Sequence, residues 1–482
     1  MRQYDIAVIG GGPAGYIAAI SGAQMGASVI LFEKSVLGGT CLNRGCIPTK
    51  TYLKGAEIIH HIRMSERYGI VSNTEYSMDM KKAVGNKNAV VKQLTQGVGA
   101  LLRSNGVEVV YGDACLAAAE SGCERAKQVS GLKVVVCGGQ EYVAHNVLLC
   151  GGSKAGRIPI PGIDHENVLT SDEILDLEQL PKRLGIIGGG VIGCEIGAAF
   201  SAYGCEVTII EEQERILPQM DVEISESLRE TFQRDGIRVL TSSRVRSIKH
   251  ASGECVLVCE NDDRITVDKI LLSIGRTADL SCLGAFKEQI ALERGYVHTD
   301  EFLQTSIPGI YAPGDINGKS MLAHAAFKMG EAAAKNAMGE RISCDLCHIP
   351  GCIYTLPECA GVGLTQEQAR RQMGADQILV GRFPFAANGR ALACGAGTGF
   401  VKVIVGRTYQ ELLGVHIFGG MATEMIAEAA SLMAAEVLAD EIGEMIHAHP
   451  TFSEAFMEAC ADATGQSMHL PKSNRSPCRS GH

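Results

Sequence analysis

The chain contains one glycine-rich stretch twice, first as Ile6-Ala7-Val8-Ile9-Gly10-Gly11-Gly12-Pro13-Ala14-Gly15 and again as Leu184-Gly185-Ile186-Ile187-Gly188-Gly189-Gly190-Val191-Ile192-Gly193. An alanine-rich stretch with helical spacing follows each copy, and then a run of β-forming residues that ends in an acid, Glu33 or Glu211. The acid stands at the same separation from the first glycine in both copies. This pattern predicts a strand–helix–strand unit that is used twice.

Each unit has the residues that a dinucleotide-binding loop requires. The first glycine permits a tight turn, the second lets a pyrophosphate approach the backbone, and the third lets helix and strand pack closely. The helix N-terminus offers free N–H groups and a partial positive charge to the pyrophosphate, and the acid accepts a hydrogen bond from the ribose. Two purely structural glycine turns are the alternative, which the repeated spacing disfavours. The predicted contacts are Gly10, Gly12, Gly15 and Glu33 in one site and Gly188, Gly190, Gly193 and Glu211 in the other.

The end of the second unit indicates which nicotinamide dinucleotide it binds. Glu211, Glu212 and Glu214 crowd this position, and Arg215 is the cation nearest to them in the sequence. A carboxylate there binds a ribose 2′-hydroxyl but repels a 2′-phosphate. The sequence therefore predicts NAD rather than NADP.

The bulk composition limits the class of protein. With 482 residues, the chain is too long for one hydrophobic core, and 46% hydrophobic residues are enough to fill several. The formal net charge of −10 argues against nucleic acid as a partner. The 18 cysteines are scattered, a strand begins almost at residue 1, and no uncharged apolar run is long enough for a membrane span. We therefore expect a cytoplasmic protein, in which a spaced cysteine pair favours catalysis or metal binding over a structural disulfide.

One such pair, Cys41 and Cys46, follows directly after the first unit. In an ideal helix this spacing separates the two Cα atoms by over about 7 Å along the axis, whereas a disulfide needs roughly 4.4–6.8 Å. Bridging requires a departure from the regular helix, which Gly45 and Pro48 permit. The alternatives are two buried free thiols or half of a zinc site. Zinc fits poorly because the spacing is not that of a zinc ligand pair.

A candidate base lies near the other end of the chain. Thiol–disulfide exchange needs a thiolate, so a base must take a proton from an incoming dithiol. His449 suits neutral pH, and Glu454, on the helix expected to follow, can fix the tautomer of its ring. A pair of core histidines, His447 and His449, is the alternative.

Taken together, these motifs resemble those of the pyridine nucleotide–disulfide oxidoreductases, from Asp5 to about Thr464. The stretch 38–50 is highly specific for that family. The resemblance implies bound FAD and NAD and a redox disulfide between the two cysteines. It implies that Cys46 is the thiolate beside the flavin and that Cys41 exchanges with substrate.

The resemblance also assigns residues outside the two glycine-rich loops. It implies an ion pair between Lys50 and Glu195 near the flavin and nicotinamide rings, and a homodimer in which His449 completes the active site of the other subunit. The remaining implied contacts are Asp315 with the ribityl chain, Ala323 in the segment that closes over the flavin, and Gly275 at the return from the NAD domain.

Within the family, the histidine and the acidic strand end are most similar to members that oxidise protein-bound dihydrolipoamide with NAD⁺. Mercuric reductases lack that histidine, and glutathione reductases favour basic residues at the position of Glu211. The implied partner is a lipoyl-bearing protein of a 2-oxo acid dehydrogenase or glycine cleavage complex. Two alternatives stay open. The chain could perform the same chemistry on another low-molecular-weight disulfide or dithiol, or it could be a mainly structural subunit of a larger complex.

The expected fold class is α/β, with two Rossmann-like dinucleotide-binding domains and a C-terminal α+β dimerisation domain. The predicted segments are an FAD domain at 1–150 and 276–345, an NAD domain at 151–275, an interface domain at 346–470 and a polar tail at 471–482. Three places depart from the family pattern: 418–421, which is expected to alter the dimer interface, the irregular stretch 117–128, and the tail with Cys478. The tail thiol could relay electrons, although a disordered end is favoured.

Overall fold

The computed structural model describes residues 2–71, 76–118, 131–251 and 253–471. In chain order the strands are β1 Gln3–Ile9, β2 Val29–Glu33, β3 Glu108–Tyr111, β4 Ala114–Ala117, β5 Lys133–Cys137, β6 Gln140–Leu149, β7 Ser153–Ala155, β8 Val168–Leu169, β9 Arg183–Ile187, β10 Glu206–Ile210, β11 Arg238–Leu240, β12 Val245–Ala251, β13 Glu254–Cys259, β14 Arg264–Val267, β15 Lys269–Leu272, β16 Arg276–Ala278, β17 Leu292–Glu293, β18 Tyr296–Val297, β19 Ile310–Tyr311, β20 Gly351–Ile353, β21 Glu358–Gly363, β22 Ile378–Pro384, β23 Phe400–Gly406 and β24 Leu412–Gly419. The helices are α1 Pro13–Gln24, α2 Gly39–Arg44, α3 Cys46–Met64, α4 Met80–Ser104, α5 Ser171–Ile174, α6 Val191–Ala202, α7 Val222–Arg234, α8 Ala323–Ala337, α9 Gln366–Met373, α10 Gly389–Ala393, α11 Ala422–Ala434, α12 Ala439–Glu444 and α13 Glu454–Thr464.

The first glycine-rich unit lies at the centre of the first sheet. Strand β1 pairs in parallel with β2 on one side and with β6 on the other. The apolar run of β2 is buried throughout, as expected for a parallel strand covered on both faces. Strand β19 returns to this sheet and pairs with β6, so the chain rejoins its first domain after the second unit.

The second unit builds a separate parallel sheet with the order β11-β10-β9-β15-β8. An antiparallel sheet of β12, β13 and β14 packs against it, and Ile187 and Ile210 of the parallel strands share a core with Ile248 and Leu257. The predicted strand–helix–strand units are therefore β1–α1–β2 and β9–α6–β10, each with the parallel pairing that the repeat indicates.

The C-terminal part forms an antiparallel sheet with the order β20-β21-β24-β23-β22. Helices α11 and α13 contribute Met425, Phe456 and Cys460 to the core beneath it. The α/β class with an appended α+β part is confirmed, whereas the domain boundaries after residues 150, 275 and 345 stay predictions. Strand β24 continues through Phe418 and Gly419, and the altered interface expected at 418–421 stays a prediction.

Two of the expectations fall wholly or mostly outside the described residues, namely the irregular stretch 117–128 and the tail with Cys478. Within the described ranges, no helix is long and apolar enough to cross a membrane.

Candidate active site

The two glycine-rich loops have the same backbone geometry. Gly10 and Gly188 both adopt φ of 107°, where a side chain is strained. A Cβ atom on Gly10 would lie 2.2 Å from the carbonyl oxygen of Cys150, and one on Gly15 would lie 1.8 Å from that of Gly10. On Gly193 it would lie 2.1 Å from the carbonyl oxygen of Gly188. The first and third glycines are therefore required by packing within the protein.

The middle glycines are much less crowded than the first and third. Among the described residues, no atom lies within 4 Å of a Cβ built on Gly190, and the nearest atom to one on Gly12 is 3.6 Å away. Helices α1 and α6 begin at these glycines without a side-chain cap, so their first N–H groups are open to a ligand. Both loops therefore fit a pyrophosphate group.

The acids at the strand ends brace these loops. Glu33 accepts a hydrogen bond of 2.8 Å from the Gly11 N–H, and Glu211 accepts one of 2.6 Å from the Gly189 N–H. The other carboxylate oxygen of each acid accepts a bond from the backbone two residues further on. A carboxylate offers about four acceptor sites, so the expected ribose contact is compatible with this bracing, which the sequence did not reveal.

The cysteine pair lies where two helices meet. Helix α2 ends at Arg44, Gly45 turns the chain with φ of −139° and ψ of −107°, and α3 begins at Cys46. The predicted break in the helix is thus present at Gly45. Pro48 lies in the first turn of α3, where a missing N–H group leaves no bond unmade.

Both cysteines are free thiols, and a hydrogen bond between them is the largest cause of their shifted pKa values. This hydrogen bond, burial and the charge of the partner raise the pKa of Cys41 well above its ordinary value. The hydrogen bond from Cys41 lowers the pKa of Cys46, burial opposes this, and the Lys50 cation lowers it further. Cys46 is therefore the thiol of the pair that ionises first.

An ion pair between a half-buried lysine and a buried glutamate stands beside the cysteines. The Lys50 ammonium donates to both carboxylate oxygens of Glu195 at 2.8 Å, as the resemblance implies. Glu195 also accepts a bond of 3.0 Å from the Tyr354 N–H, and Lys50 Nζ lies 4.4 Å from the centre of the Tyr354 ring. These contacts fix one cation near the sulfurs.

A hydrogen-bonded chain connects Asp315 to the redox segment. Ser153 donates to Asp315 at 2.6 Å, and the Arg276 guanidinium donates to the Ser153 hydroxyl at 2.8 Å and to its carbonyl at 2.7 Å. Arg276 also donates to the Thr40 hydroxyl at 3.3 Å, next to Cys41. Ser153 therefore holds the Asp315 carboxylate directly, and Arg276 connects Ser153 to Thr40.

One continuous cleft of about 2550 Å³ connects the two loops with the cysteines. This volume exceeds that of a typical pocket for a single drug-sized ligand, roughly 300–1,000 Å³, and leaves room for two dinucleotides. The predicted residues that line it are Gly10, Gly12, Glu33, Cys41, Cys46, Lys50, Gly188, Gly190, Glu195, Glu211, Gly275, Asp315 and Ala323. Gly15 and Gly193 lie behind the wall, in the contacts between helix and strand.

His449 and Glu454 lie together but apart from this cleft. His449 Nδ1 is 2.8 Å from a Glu454 carboxylate oxygen, and Glu454 also accepts a bond of 2.7 Å from the Thr451 N–H. Although burial raises it, these two bonds hold the pKa of Glu454 below its ordinary value. The side chain of His449 is 78% exposed, and the described wall of the cleft does not include it. The alternative that His447 and His449 are two core residues is therefore wrong for His449.

Several residues of the cleft carried no recognisable signal in the sequence. Ser153, Arg244 and Cys352 line it, yet none belongs to a motif with a local spacing. Arg215, expected near the second ribose, is instead held by Glu367 of α9 at 2.9 Å, and the described wall does not include it. Contacts between distant parts of the chain decide both which residues line the cleft and where Arg215 lies.

Comparisons with known proteins agree with this geometry. The family model described as pyridine nucleotide-disulphide oxidoreductase matches residues 4–330, and that of its dimerisation domain matches residues 349–460. The chain is 38% identical to a dihydrolipoyl dehydrogenase of Thermus scotoductus, over 98% of this chain and 99% of that protein. It is also 38% identical to a dihydrolipoyl dehydrogenase of Bacillus subtilis, over 96% and 99%.

Two solved structures are similar over nearly their whole length. One is LpdA from Mycobacterium tuberculosis, with a TM-score of 0.86 and 26% identity over 95% of this chain and 99% of that one. The other is the HOCl-induced flavoprotein disulfide reductase RclA from Escherichia coli, with a TM-score of 0.83 and 28% identity over 95% and 99%.

Proposed function

Because this chain belongs to the pyridine nucleotide-disulphide oxidoreductase family, we propose that it oxidises protein-bound dihydrolipoamide to lipoamide with NAD⁺ as the acceptor. The chain is a flavoprotein disulfide oxidoreductase that uses FAD and NAD(H), and its dimerisation domain makes it a homodimer. The observation that carries the proposal is the position of Cys41 and Cys46 in the one cleft that both dinucleotide loops also line.

The two cofactors differ in which loop would hold them. FAD fits the first loop, where Gly12 leaves room for the pyrophosphate and Asp315 and Ala323 line the same cleft. NAD fits the second loop, with Gly190 and Glu211 in the corresponding positions. Bound FAD supplies a two-electron carrier between the cysteine pair and the nicotinamide.

The cysteines account for the exchange with a dithiol. A substrate thiolate attacks the Cys41 sulfur of the oxidised pair, the Cys41–Cys46 bond breaks, and Cys46 leaves as a thiolate. The second substrate thiolate then displaces Cys41 from the mixed disulfide, so the substrate leaves as a cyclic disulfide and the pair is reduced. A low pKa for the leaving thiol speeds such an exchange, which suits Cys46.

His449 of the partner subunit serves as the base in this proposal. Three observations support a role in the other active site of the dimer: the ring of His449 is exposed, Glu454 is its carboxylate partner, and His449 is absent from the described wall of its own cleft. The base takes the protons that the substrate thiols lose, and Glu454 fixes the orientation of the imidazole.

The physiological substrate is a lipoyl group carried by another protein. The dihydrolipoyl dehydrogenases to which the chain is similar support a lipoyl-bearing protein of a 2-oxo acid dehydrogenase or glycine cleavage complex as the partner. The many scattered cysteines support the reducing cytoplasm as the place of action.

Steady-state oxidation of free dihydrolipoamide by the purified FAD-loaded dimer tests the proposal. We expect turnover with NAD⁺ and a much lower kcat/KM with NADP⁺. Reduction of glutathione disulfide or another small disulfide by NADH, at a higher kcat/KM than lipoamide, would contradict the substrate. A dimer that retains FAD and is reduced by NADH but oxidises no dithiol would indicate a mainly structural subunit.

A further inference from the structure

A second cluster of sulfur and nitrogen ligands lies outside the redox cleft. His165, His250 and Cys255 each offer a ligand atom, and these atoms all lie within 4.8 Å of one another. The described wall of the cleft includes none of the three. His165 lies in the connection before β8, whereas His250 and Cys255 lie on β12 and β13.

The hairpin of β12 and β13 brings two of these ligands together. His250 and Cys255 are direct partners in the antiparallel register, so their side chains share one face. Cys255 Sγ is 3.3 Å from His250 Nδ1, and Cys255 is fully buried. With bond lengths of about 2.0–2.1 Å to nitrogen and about 2.3 Å to sulfur, two ligands of one zinc ion lie at about this separation.

The other nitrogen of His250 is already oriented for metal binding. Its Nε2 atom lies 3.0 Å from the carbonyl oxygen of Gly162, so the proton belongs on Nε2 and the lone pair on Nδ1 faces the sulfur. Metal-bound histidines commonly donate their second N–H to a backbone carbonyl, which fixes the tautomer and the ring.

His165 provides the third ligand from a connecting segment. Its ring stacks on His250 with centroids 3.6 Å apart and planes at 10°. Parallel rings direct their lone pairs in parallel, so His165 must turn out of the stack to share one ion with His250. This rotation breaks the hydrogen bond of 3.2 Å that the Asn167 N–H donates to His165 Nδ1.

We propose that His165, His250 and Cys255 form a site for a thiophilic divalent cation of the zinc type, with water as the fourth ligand. Two imidazoles and one thiolate match the donors that Zn²⁺ prefers, and three protein ligands leave one position open. Burial raises the pKa of the Cys255 thiol, and this is only partly offset by its contact with Asn167 and by the charge of Lys269, whose ammonium donates to Asn167 at 2.6 Å. The site differs from the redox pair in sequence, position and ligand type.

Titration of the oxidised, FAD-loaded dimer with Co²⁺ tests the site. In the oxidised enzyme the active-site pair is a disulfide, so its sulfurs do not compete for the ion. We expect one Co²⁺ per chain, with tetrahedral d–d bands and a thiolate-to-cobalt charge-transfer band that Zn²⁺ displaces. Cys255→Ser should remove the charge-transfer band, and His165→Gln, on a half-exposed residue, should weaken Co²⁺ binding by at least about tenfold.

The controls separate this cluster from other thiols. Cys259→Ser alters a buried cysteine of the same strand and should leave the titration unchanged. Cys347→Ser alters an exposed cysteine far along the chain and should also have no effect. Absence of a thiolate band in the wild type, or a band that survives Cys255→Ser and His165→Gln, would overturn the proposal. Flavin content and circular dichroism identify any variant that fails to fold.

Discussion

The two dinucleotide loops share one backbone geometry but differ in what the chain places opposite them. In the first loop, Gly12 is covered by Gly39 of α2, where an added Cβ atom would lie only 2.6 Å from the Gly12 Cα. In the second loop, a Cβ atom added to the corresponding residue, Gly190, would have no described atom within 4 Å. The glycine-rich motif is therefore covered by another element in the first loop and uncovered in the second.

The helices that begin at the two loops show the same difference. Ala14 of α1 is 6% exposed, and a Cβ on Gly330 of α8 would lie 2.2 Å from the Ala14 carbonyl oxygen. Ile192, which corresponds to Ala14 in α6, is only half-buried, and Val191 before it is 43% exposed. The first helix is therefore packed beneath a second helix, whereas the start of the other is accessible to solvent.

This contrast indicates why one motif can serve two kinds of cofactor. The glycine spacing provides the pyrophosphate site in both places, but the covering elements decide how easily a ligand leaves. We infer that the enclosed first loop keeps its FAD through many turnovers and that the open second loop exchanges NAD in each one.

The largest expected effect concerns the cysteines, which follow the first dinucleotide-binding unit directly in the chain. Cys46→Ser removes the disulfide, so oxidation of dihydrolipoamide should fall to background. Reduction of the flavin by NADH, measured with ferricyanide as the acceptor, should continue because it does not need the sulfurs. Cys352→Ser, in the same cleft, is the matched control and should retain dithiol oxidation. Dithiol oxidation by the Cys46→Ser dimer would exclude the redox pair as the route.

A second substitution sharpens the division between the two half-reactions. His449→Gln removes the proposed base and should slow flavin reduction by the dithiol about 10²–10⁴-fold in stopped-flow measurements. Reduction by NADH should change far less. His447→Gln is the control, because His447 binds Glu428 at 2.8 Å and has no proposed part in proton transfer. Equal losses for both variants, or none for His449→Gln, would show that His449 is not the base.

The thiol pair makes a prediction about pH. The hydrogen bond from Cys41 lowers the pKa of Cys46, so in the reduced enzyme the Cys46 thiolate should persist below about pH 8.5, the ordinary value for a thiol. Cys41→Ala removes that donor, and the charge-transfer absorbance of the thiolate with the flavin should then titrate at higher pH. Cys41→Ser keeps a hydroxyl donor and should titrate closer to the wild type. Identical midpoints for the alanine and serine variants would contradict the assigned hydrogen bond.

The smallest expected effect concerns the open loop and its preference for NAD. Arg215 is held by Glu367, and an exposed ion pair of this kind is worth up to about 1 kcal/mol. Glu367→Gln frees the guanidinium and should raise kcat/KM for NADPH by about fivefold at most, with little change for NADH. A second substitution, Arg215→Gln, should cancel the gain. A gain that persists in the double variant must come from another residue.

The sequence predicted those parts of the fold and the site that depend on local patterns. The glycine loops, the helix break at Gly45 and the contact of His449 with Glu454 depend on residues close together in the chain. The steric limits on a tight turn or on a disulfide act over a few residues. They therefore produce a residue spacing that can be recognised in the sequence. The Lys50–Glu195 pair joins positions far apart, and only the resemblance to a known family indicated it.

Other features depend on tertiary contacts that leave no such spacing. The ion pair of Arg215 with Glu367 requires helix α9 to lie beside the segment that follows β10, and neither sequence segment shows this. From the sequence alone, the hydrogen bonds of Glu33 and Glu211 to the glycine loops could not be distinguished from their expected contacts with the ribose. His449 is proposed to act in the active site of a second subunit, and no sequence pattern within one chain shows how two subunits are arranged.

Equilibrium dialysis of the wild-type dimer, loaded with both FAD and NAD⁺, tests most directly the contrast between an enclosed and an open loop. We predict that prolonged dialysis removes NAD⁺ while close to one FAD per chain is retained, and that added NADH still reduces the retained flavin. Loss of FAD and NAD⁺ at similar rates, or retention of NAD⁺ after FAD has left, would contradict this account.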